Sequence, residues 1–576
     1  MPDQRDDNLN KVRNAGHVDV IVVGGGINGI GVFRDLALQG VSVLLVDRAD
    51  FCSGCSAAPS RMIHGGLRYL ENGEFGLVRE SLRERDALLV NAPHMVRPLP
   101  TTIPITSLFS GMLNAAVGFI GGKSQPAQRG ALPVKIGLSL YDWVTRDRRL
   151  TPKHVFRNAA ETAATWPGLK GGLSGTLRWS ATYFDAWISH PERLGVELIL
   201  DAQRDAPDAI ALNHADIVRV GDGFAVTDLL TGERIRIGTS LVVNATGAWL
   251  DETNRALAGA GLPTEPFVSG TKGSHLIIDK PALRDALNGH MIFFENSDGR
   301  ICIVFPYLGN VLAGSTDIRV DKVTRVRCET EERDYILESL RLIFPEIEVT
   351  PDDVVFSYSG IRPLPRSDHD FTGRISRGHS VERLDGNPPQ LCMIGGKWTT
   401  FRAFAEEATT EALKCLGRPR VRDTLSLRIG GGAGYPEDPD TFISDLSADH
   451  DLSKDRAAYL FDLYGTRARD VAAFCASYPG DKALDEDCSM TTGEVAFLLR
   501  QEFAVTLGDI VLRRTALAIR GEISARRLDR IAEIVAAERG WDDARRDQEM
   551  QKLVAELDAY YGVSPAMLEN RDRRRE

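Results

Sequence analysis

The run Val18-Asp19-Val20-Ile21-Val22-Val23-Gly24-Gly25-Gly26-Ile27-Asn28-Gly29 decides the fold. Its first six residues are mostly β-branched and predict a buried strand. Gly24, Gly26 and Gly29 then fit G-x-G-x-x-G. Each glycine answers a separate demand: a tight turn at Gly24, close backbone approach to a pyrophosphate at Gly26, and a helix packed on a strand at Gly29. The spacing predicts a helix from about Asn28 to Gln39, its positive end facing the phosphates. A second strand, Val41–Val46, ends at Asp47. That acid stands about twenty residues past the loop, where it can accept hydrogen bonds from a ribose diol. Strand, loop, helix, strand and acid in that order predict a dinucleotide site.

The unit alone leaves NAD and FAD open. Two distant segments point to FAD. Leu241–Val243 runs into Asn244-Ala245-Thr246-Gly247, and Leu391–Ile394 runs into Gly395-Gly396-Lys397. An extended FAD lying across a sheet needs several strands that end in glycine. Further strands are expected at His275–Ile278 and Ile301–Phe305. The expected architecture is α/β and α+β: a Rossmann-like FAD domain, an interleaved mixed-sheet substrate domain, and a C-terminal helical domain. The expected boundaries are 17–95, 190–270 and 355–420 for the first, 96–189 and 271–354 for the second, and 430–565 for the third. Gly430–Pro436 reads as a linker. Beyond it Arg456–Tyr464, Thr492–Glu502, Ala516–Arg520, Ser524–Arg539 and Asp543–Tyr560 read as amphipathic helices, with Ser524 and Asp543 suited to N-caps.

The chain is 576 residues long, beyond the size of a single core. Its net charge of −11 argues against a general nucleic-acid binder, and none is expected as a partner. Cys52 and Cys55 form a lone C-x-x-C without the second ligand pair a zinc site needs, so no metal is expected. The first seventeen residues and Arg571–Glu576 read as polar tails. No window of eighteen apolar residues predicts a transmembrane helix. Pro98–Gly122 is free of charge and rich in Ile, Leu, Met and Phe. It is read either as a monotopic membrane element or as a buried segment.

Four stretches set glycines or small residues beside cations: Ser60–Leu70, Lys272–His275, Ser359–Leu364 and Lys397–Thr400. In an acidic chain such clusters can converge on an anion. A phosphate about 4 Å from two arginines gains several kcal/mol even at an effective dielectric near 20, before desolvation is subtracted. Arginine also matches phosphate oxygens two at a time.

Taken with Val243–Trp249 (VNATGAW), His64–Glu71 (HGGLRYLE), Gly314–Asp317 (GSTD), Tyr358–Leu364 (YSGIRPL) and Gly395–Arg402 (GGKWTTFR), these stretches resemble the FAD-dependent glycerol-3-phosphate dehydrogenases. The resemblance runs from about residue 17 to 560. It implies oxidation of sn-glycerol 3-phosphate at C2, with hydride passing to flavin N5 and electrons to a quinone. It further implies a cytoplasmic protein, peripheral on the cytoplasmic face of the membrane, with a homodimer among the expected partners. The implied catalytic set is His64 as first choice of base, His275 as second, and Lys397. The implied substrate set is Arg68, Tyr69, Lys272, Arg362 and Arg377. The implied FAD set is Gly24, Gly26, Asn28, Gly29, Asp47, Ser60, Arg61, Gly65, Ala245, Thr246, Gly247, Gly395, Gly396 and Thr399. Two places depart from the family. Pro59-Ser60-Arg61 stands where many members carry Ser-Ser-Lys, and Ser189–Leu194 lacks two acids and carries His190. Alternatives are a dehydrogenase of another polyol phosphate such as erythritol phosphate, an amine oxidase, and a non-catalytic flavin-binding protein.

Overall fold

The computed structural model describes residues 3–66, 74–106, 138, 150–171, 176–257, 266–296, 298–366 and 378–574. Among the described residues the chain forms two sheets and a helical unit. The first sheet has eight strands. His17–Val23 lies at its centre, parallel to Val43–Val46 on one side and to Arg234–Asn244 on the other. Gln390–Gly395 and Ile210–Leu212 extend it in parallel, and His379–Leu384 closes one edge antiparallel. The central strands are apolar throughout because both faces are covered. The helices Ile27–Leu38, Pro191–Asp205 and Phe401–Leu416 share one core with this sheet.

The second sheet has ten strands and is mixed. Val96–Ile105 pairs antiparallel with Trp179–Ile188, and Val268–Ile278 pairs antiparallel with both Asn310–Gly314 and Val354–Pro365. Residues 355–365 therefore belong to this sheet and not to the first, where their position in the chain had placed them. Pro98–Ile105 is also strand, so the start of the uncharged stretch is an ordinary part of the sheet. The rest of that stretch, 107–122, lies outside the described residues. No helix among the described residues is long and apolar enough to cross a membrane.

The core of the C-terminal helices is continuous with the second sheet. Leu498, Ile531 and Leu557 share one apolar cluster with Leu99, Phe305, Phe356 and Tyr358 of the second sheet. Two charged networks bind the same helices to the first sheet. Asp50 accepts from Arg514 at 2.7 and 2.8 Å and from Arg513 at 2.5 Å. Arg193 donates to Glu502 at 2.8 and 3.1 Å. All five side chains are buried. Taking such charges out of water costs several kcal/mol each unless every one is paired.

Five sequence expectations change. The N-terminal segment is a helix, Gln4–Ala15, capped by Asp3 and anchored by Arg5 on Asp228 at 2.5 Å and by Asp3 on Arg539. Ala516–Arg520 is a turn and not a helix, while the cap of Asp543–Tyr561 is Asp542. Gly430–Gly432 packs tightly: a Cβ on Gly431 would stand 1.9 Å from the Tyr464 carbonyl. The expected charged tail begins inside a helix, Pro565–Arg573, where Arg571 donates to the Ile523 and Val355 carbonyls.

Candidate active site

A cavity of about 800 Å³ opens between the two sheets. The first sheet presents backbone to it. Gly24 sits at φ +104, and a Cβ there would stand 2.7 Å from the Ala245 carbonyl. Gly29 faces away from the cavity, where a Cβ would meet the Gly24 carbonyl at 1.9 Å. It brings the helix Ile27–Leu38 onto the strand, as its place in the motif predicts. Gly396, at φ +95, leaves the space that Asn28 occupies, its would-be Cβ 2.8 Å from Asn28 Nδ2. The Asn28 Oδ1 is buried without a partner among the described residues, a group left for a ligand to satisfy. Asp47 accepts from the Gly25 and Ala49 N–H groups at 2.6 and 2.8 Å. Burial pushes its carboxyl up to about 6 against those two bonds. Gly26, Ala245, Thr246, Gly247, Gly395 and Thr399 complete the expected lining.

These residues fit FAD. Backbone without side chains lies beside a helix N-terminus, with an acid at the next strand end. Three features of this half carried no sequence signal of their own. Ser56 accepts the Ile27 N–H at 3.0 Å on its hydroxyl, and its carbonyl accepts from the Trp398 indole at 3.0 Å, tying the glycine loop to the Gly396 turn. Arg48 lies over the Trp249 ring at 5.2 Å, and both line the cavity. The C-terminal helical unit supplies Arg513, Lys552 and Tyr561 to the same wall, more than 450 residues after the glycine loop.

The second sheet presents side chains. Arg362 lies across Gly273, where a Cβ would meet its guanidinium at 2.0 Å. It donates to Asp317 Oδ1 at 3.0 Å, to the Thr316 carbonyl at 3.3 Å and to Ser315 Oγ at 3.2 Å. The KGSH, GSTD and YSGIRPL segments thus form one arrangement. His275 lines the cavity, and neither ring nitrogen has a partner among the described residues. Burial first, and Arg362 and Arg61 after it, push its ring down to about 3. His64 is half-buried on the wall and donates its N–H to Thr399 Oγ1 at 3.2 Å. Lys397 reaches Ser81 Oγ at 2.9 Å, and Ser60 stands nearby on the wall.

Three further expected site residues turn away from the cavity. Lys272 is buried in an ion pair with Glu332, which also accepts from Ser274 and Thr316 at 2.8 and 2.7 Å. Arg61 is buried in a two-pronged pair with Glu192 at 2.8 Å and lies over the rings of Tyr358 and Tyr307. The Gly65 N–H is spent on Asp185 at 2.8 Å. In each case a buried charge or donor found a protein partner, as burial requires. Arg68, Tyr69 and Arg377 lie outside the described residues. The cluster Asp50, His214 and Asp509 has the spacing of metal ligands, but Arg513 and Arg514 already supply its positive charge.

Known proteins match along the whole chain. Residues 19–402 fit the family described as FAD dependent oxidoreductase, and residues 422–546 fit the C-terminal domain of alpha-glycerophosphate oxidase. A glycerol-3-phosphate dehydrogenase of Synechocystis is 35% identical over 95% of this chain and 97% of its own. Glycerol-3-phosphate dehydrogenase 2 of Mycobacterium tuberculosis is 30% identical over 94% and 88%. The crystal structure of a Bacillus halodurans glycerol-3-phosphate dehydrogenase complexed with FAD superposes with a TM-score of 0.74 at 24% identity, covering 98% of each chain. Fold, cavity and sequence agree, and the chain belongs to the FAD-dependent glycerol-3-phosphate dehydrogenase family.

Proposed function

We propose that this enzyme oxidises the C2 hydroxyl of sn-glycerol 3-phosphate to the ketone of dihydroxyacetone phosphate and delivers the electrons to a quinone. The observation that carries the reading is the meeting of His64, His275, Arg362 and Lys397 on the cavity that the dinucleotide loops also line. Relatives named for that activity support it. FAD, when bound, supplies the hydride-accepting chemistry. The chain's own groups bind, orient and move the proton. Arg362, its orientation held by Asp317, offers donors matched to phosphate oxygens. Arg68, Tyr69 and Arg377 are proposed as its companions. His64 takes the hydroxyl proton, since its part exposure leaves a route to water. His275, buried and held neutral, donates a hydrogen bond to the C2 oxygen. Lys397 opposes negative charge that develops beside it.

Anaerobic glycerol 3-phosphate should bleach the flavin of the purified protein. Bleaching by erythritol phosphate alone would keep the mechanism and replace the substrate. A flavin that no polyol phosphate bleaches would leave a non-catalytic binding protein. Equal turnover with oxygen and with a quinone analogue would make the enzyme an oxidase. A quinone acceptor dissolved in a bilayer requires access to its surface, so we place the protein peripherally on the cytoplasmic face. Co-sedimentation with lipid vesicles tests that placement.

A further inference from the structure

A catalytic histidine is ordinarily oriented by a hydrogen bond on its second nitrogen. His275 has none among the described residues, on either nitrogen. Its orientation comes from shape. On the strand Val268–Ile278 it has two direct cross-strand neighbours, Gly314 on one side and Tyr358 on the other. Gly314 makes room: a Cβ there would stand 2.4 Å from His275 Cδ2. Tyr358 supplies a flat wall, its ring stacked on the imidazole at 5.0 Å and 18°. The ring of Tyr358 is itself gripped. Its hydroxyl donates to the Pro59 carbonyl at 3.0 Å, and the Arg61 guanidinium lies over it at 5.4 Å. Glu192 pins that guanidinium with two bonds of 2.8 Å. Tyr358 is buried and does not line the cavity, so it touches no ligand there.

We infer that Tyr358 is a positioning residue for the oxidation: with Gly314 it forms a slot that sets the rotation of the otherwise unanchored His275 imidazole toward the substrate oxygen. Glu192 and Arg61 are the buttress of that slot. This explains why Arg61, although it carries its charge beside the cavity, is not spent on a ligand. An aromatic stack orients without hydrogen bonding, so it occupies neither imidazole nitrogen. The inference rests on the proposed contact of His275 with substrate.

The test is anaerobic single-turnover flavin reduction by glycerol 3-phosphate, read with flavin content and substrate affinity. His275→Asn should slow reduction by about 100-fold, the usual scale for a lost positioned proton-transfer or hydrogen-bonding group. Tyr358→Leu should slow it about 10- to 30-fold with affinity unchanged within about twofold, the signature of lost orientation and not of lost binding. Tyr358→Phe keeps the stack and should stay within about threefold of the parent. In the His275→Asn background Tyr358→Leu should cost nothing more, because residues acting as a unit are non-additive. Gly314→Ala, which crowds the ring from the other side, should behave alike and serves if Tyr358→Leu folds poorly. Multiplying losses in the double variants would overturn the positioning role while leaving His275 in the mechanism. An unimpaired His275→Asn would instead remove His275 from the proposed reaction, and the slot's purpose with it.

Discussion

Around Gly24, Gly26 and Gly396 the cavity wall is backbone, brought close because no Cβ intervenes. Around His275 and Arg362 it is side chain, aimed by cross-strand register and by ion pairs one layer behind. The two halves differ in how they fail. A backbone wall has no freedom to yield, so one methyl group ruins it. A side-chain wall tolerates change until a buried charge loses its partner or a ring loses its support.

That contrast can be broken at four points. Gly29→Ala should have the largest effect on function, because it costs the protein its cofactor. Its Cβ would sit 1.9 Å from the Gly24 carbonyl, so the helix must leave the strand. Overpacking of this kind costs roughly 1–3 kcal/mol and occasionally more, and the purified protein should be nearly colourless. A yellow, stable variant would mean that the loop does not hold the cofactor. Lys272→Met comes next. It strands Glu332 as an unpaired buried carboxylate, which costs about 3–5 kcal/mol. Denaturant unfolding should show the loss while KM stays put. A raised KM with unchanged stability would return Lys272 to the substrate.

Arg362→Ala should raise KM for the phosphorylated substrate about 10- to 100-fold, the worth of about 1.5–3 kcal/mol in charge-assisted hydrogen bonds. Flavin content should not change, because Arg362 is held by the Ser315–Asp317 turn and not by the glycine loops. The smallest effect concerns His190. Burial pushes its ring down to about 3, whereas in the unfolded chain it takes a proton near 6.5. Between those values the unfolded state binds more protons, so stability rises with pH. The slope is at most about 1.4 kcal/mol per pH unit for one histidine. His190→Gln should flatten the fall in Tm between pH 6 and pH 4.5. An unchanged slope would assign the pH dependence to the similarly depressed His275, His290 and His379.

The same contrast separates what could be read in advance from what could not. Gly24, Gly26, Gly29 and Asp47 were legible because their requirements are local: a turn, a close approach and a strand end all fall within about thirty residues of one another. The helices Lys454–Tyr464 and Ala525–Arg539 were legible for the same reason, since periodicity and capping are local properties. Lys272 and Arg61 were not. Each looked like a ligand for an anion, and each met a carboxylate, Glu332 or Glu192, from a distant segment. The N-terminal helix escaped because it is polar and takes its stability from Asp228 and Arg539, which no local pattern connects to it.

By itself the sequence determined the nucleotide-binding unit, the FAD assignment through its glycine-ended strands, and the family. It determined these because backbone demands are written as residue types at fixed spacing. Tertiary structure alone decided which charges serve the cavity and which serve the fold. It alone brought Tyr358 and Gly314 to either side of His275, and it alone set Arg513, Lys552 and Tyr561 into the cavity wall. A side chain's role depends on the partner it meets, and here those partners come from other strands and from the helical unit at the far end of the chain.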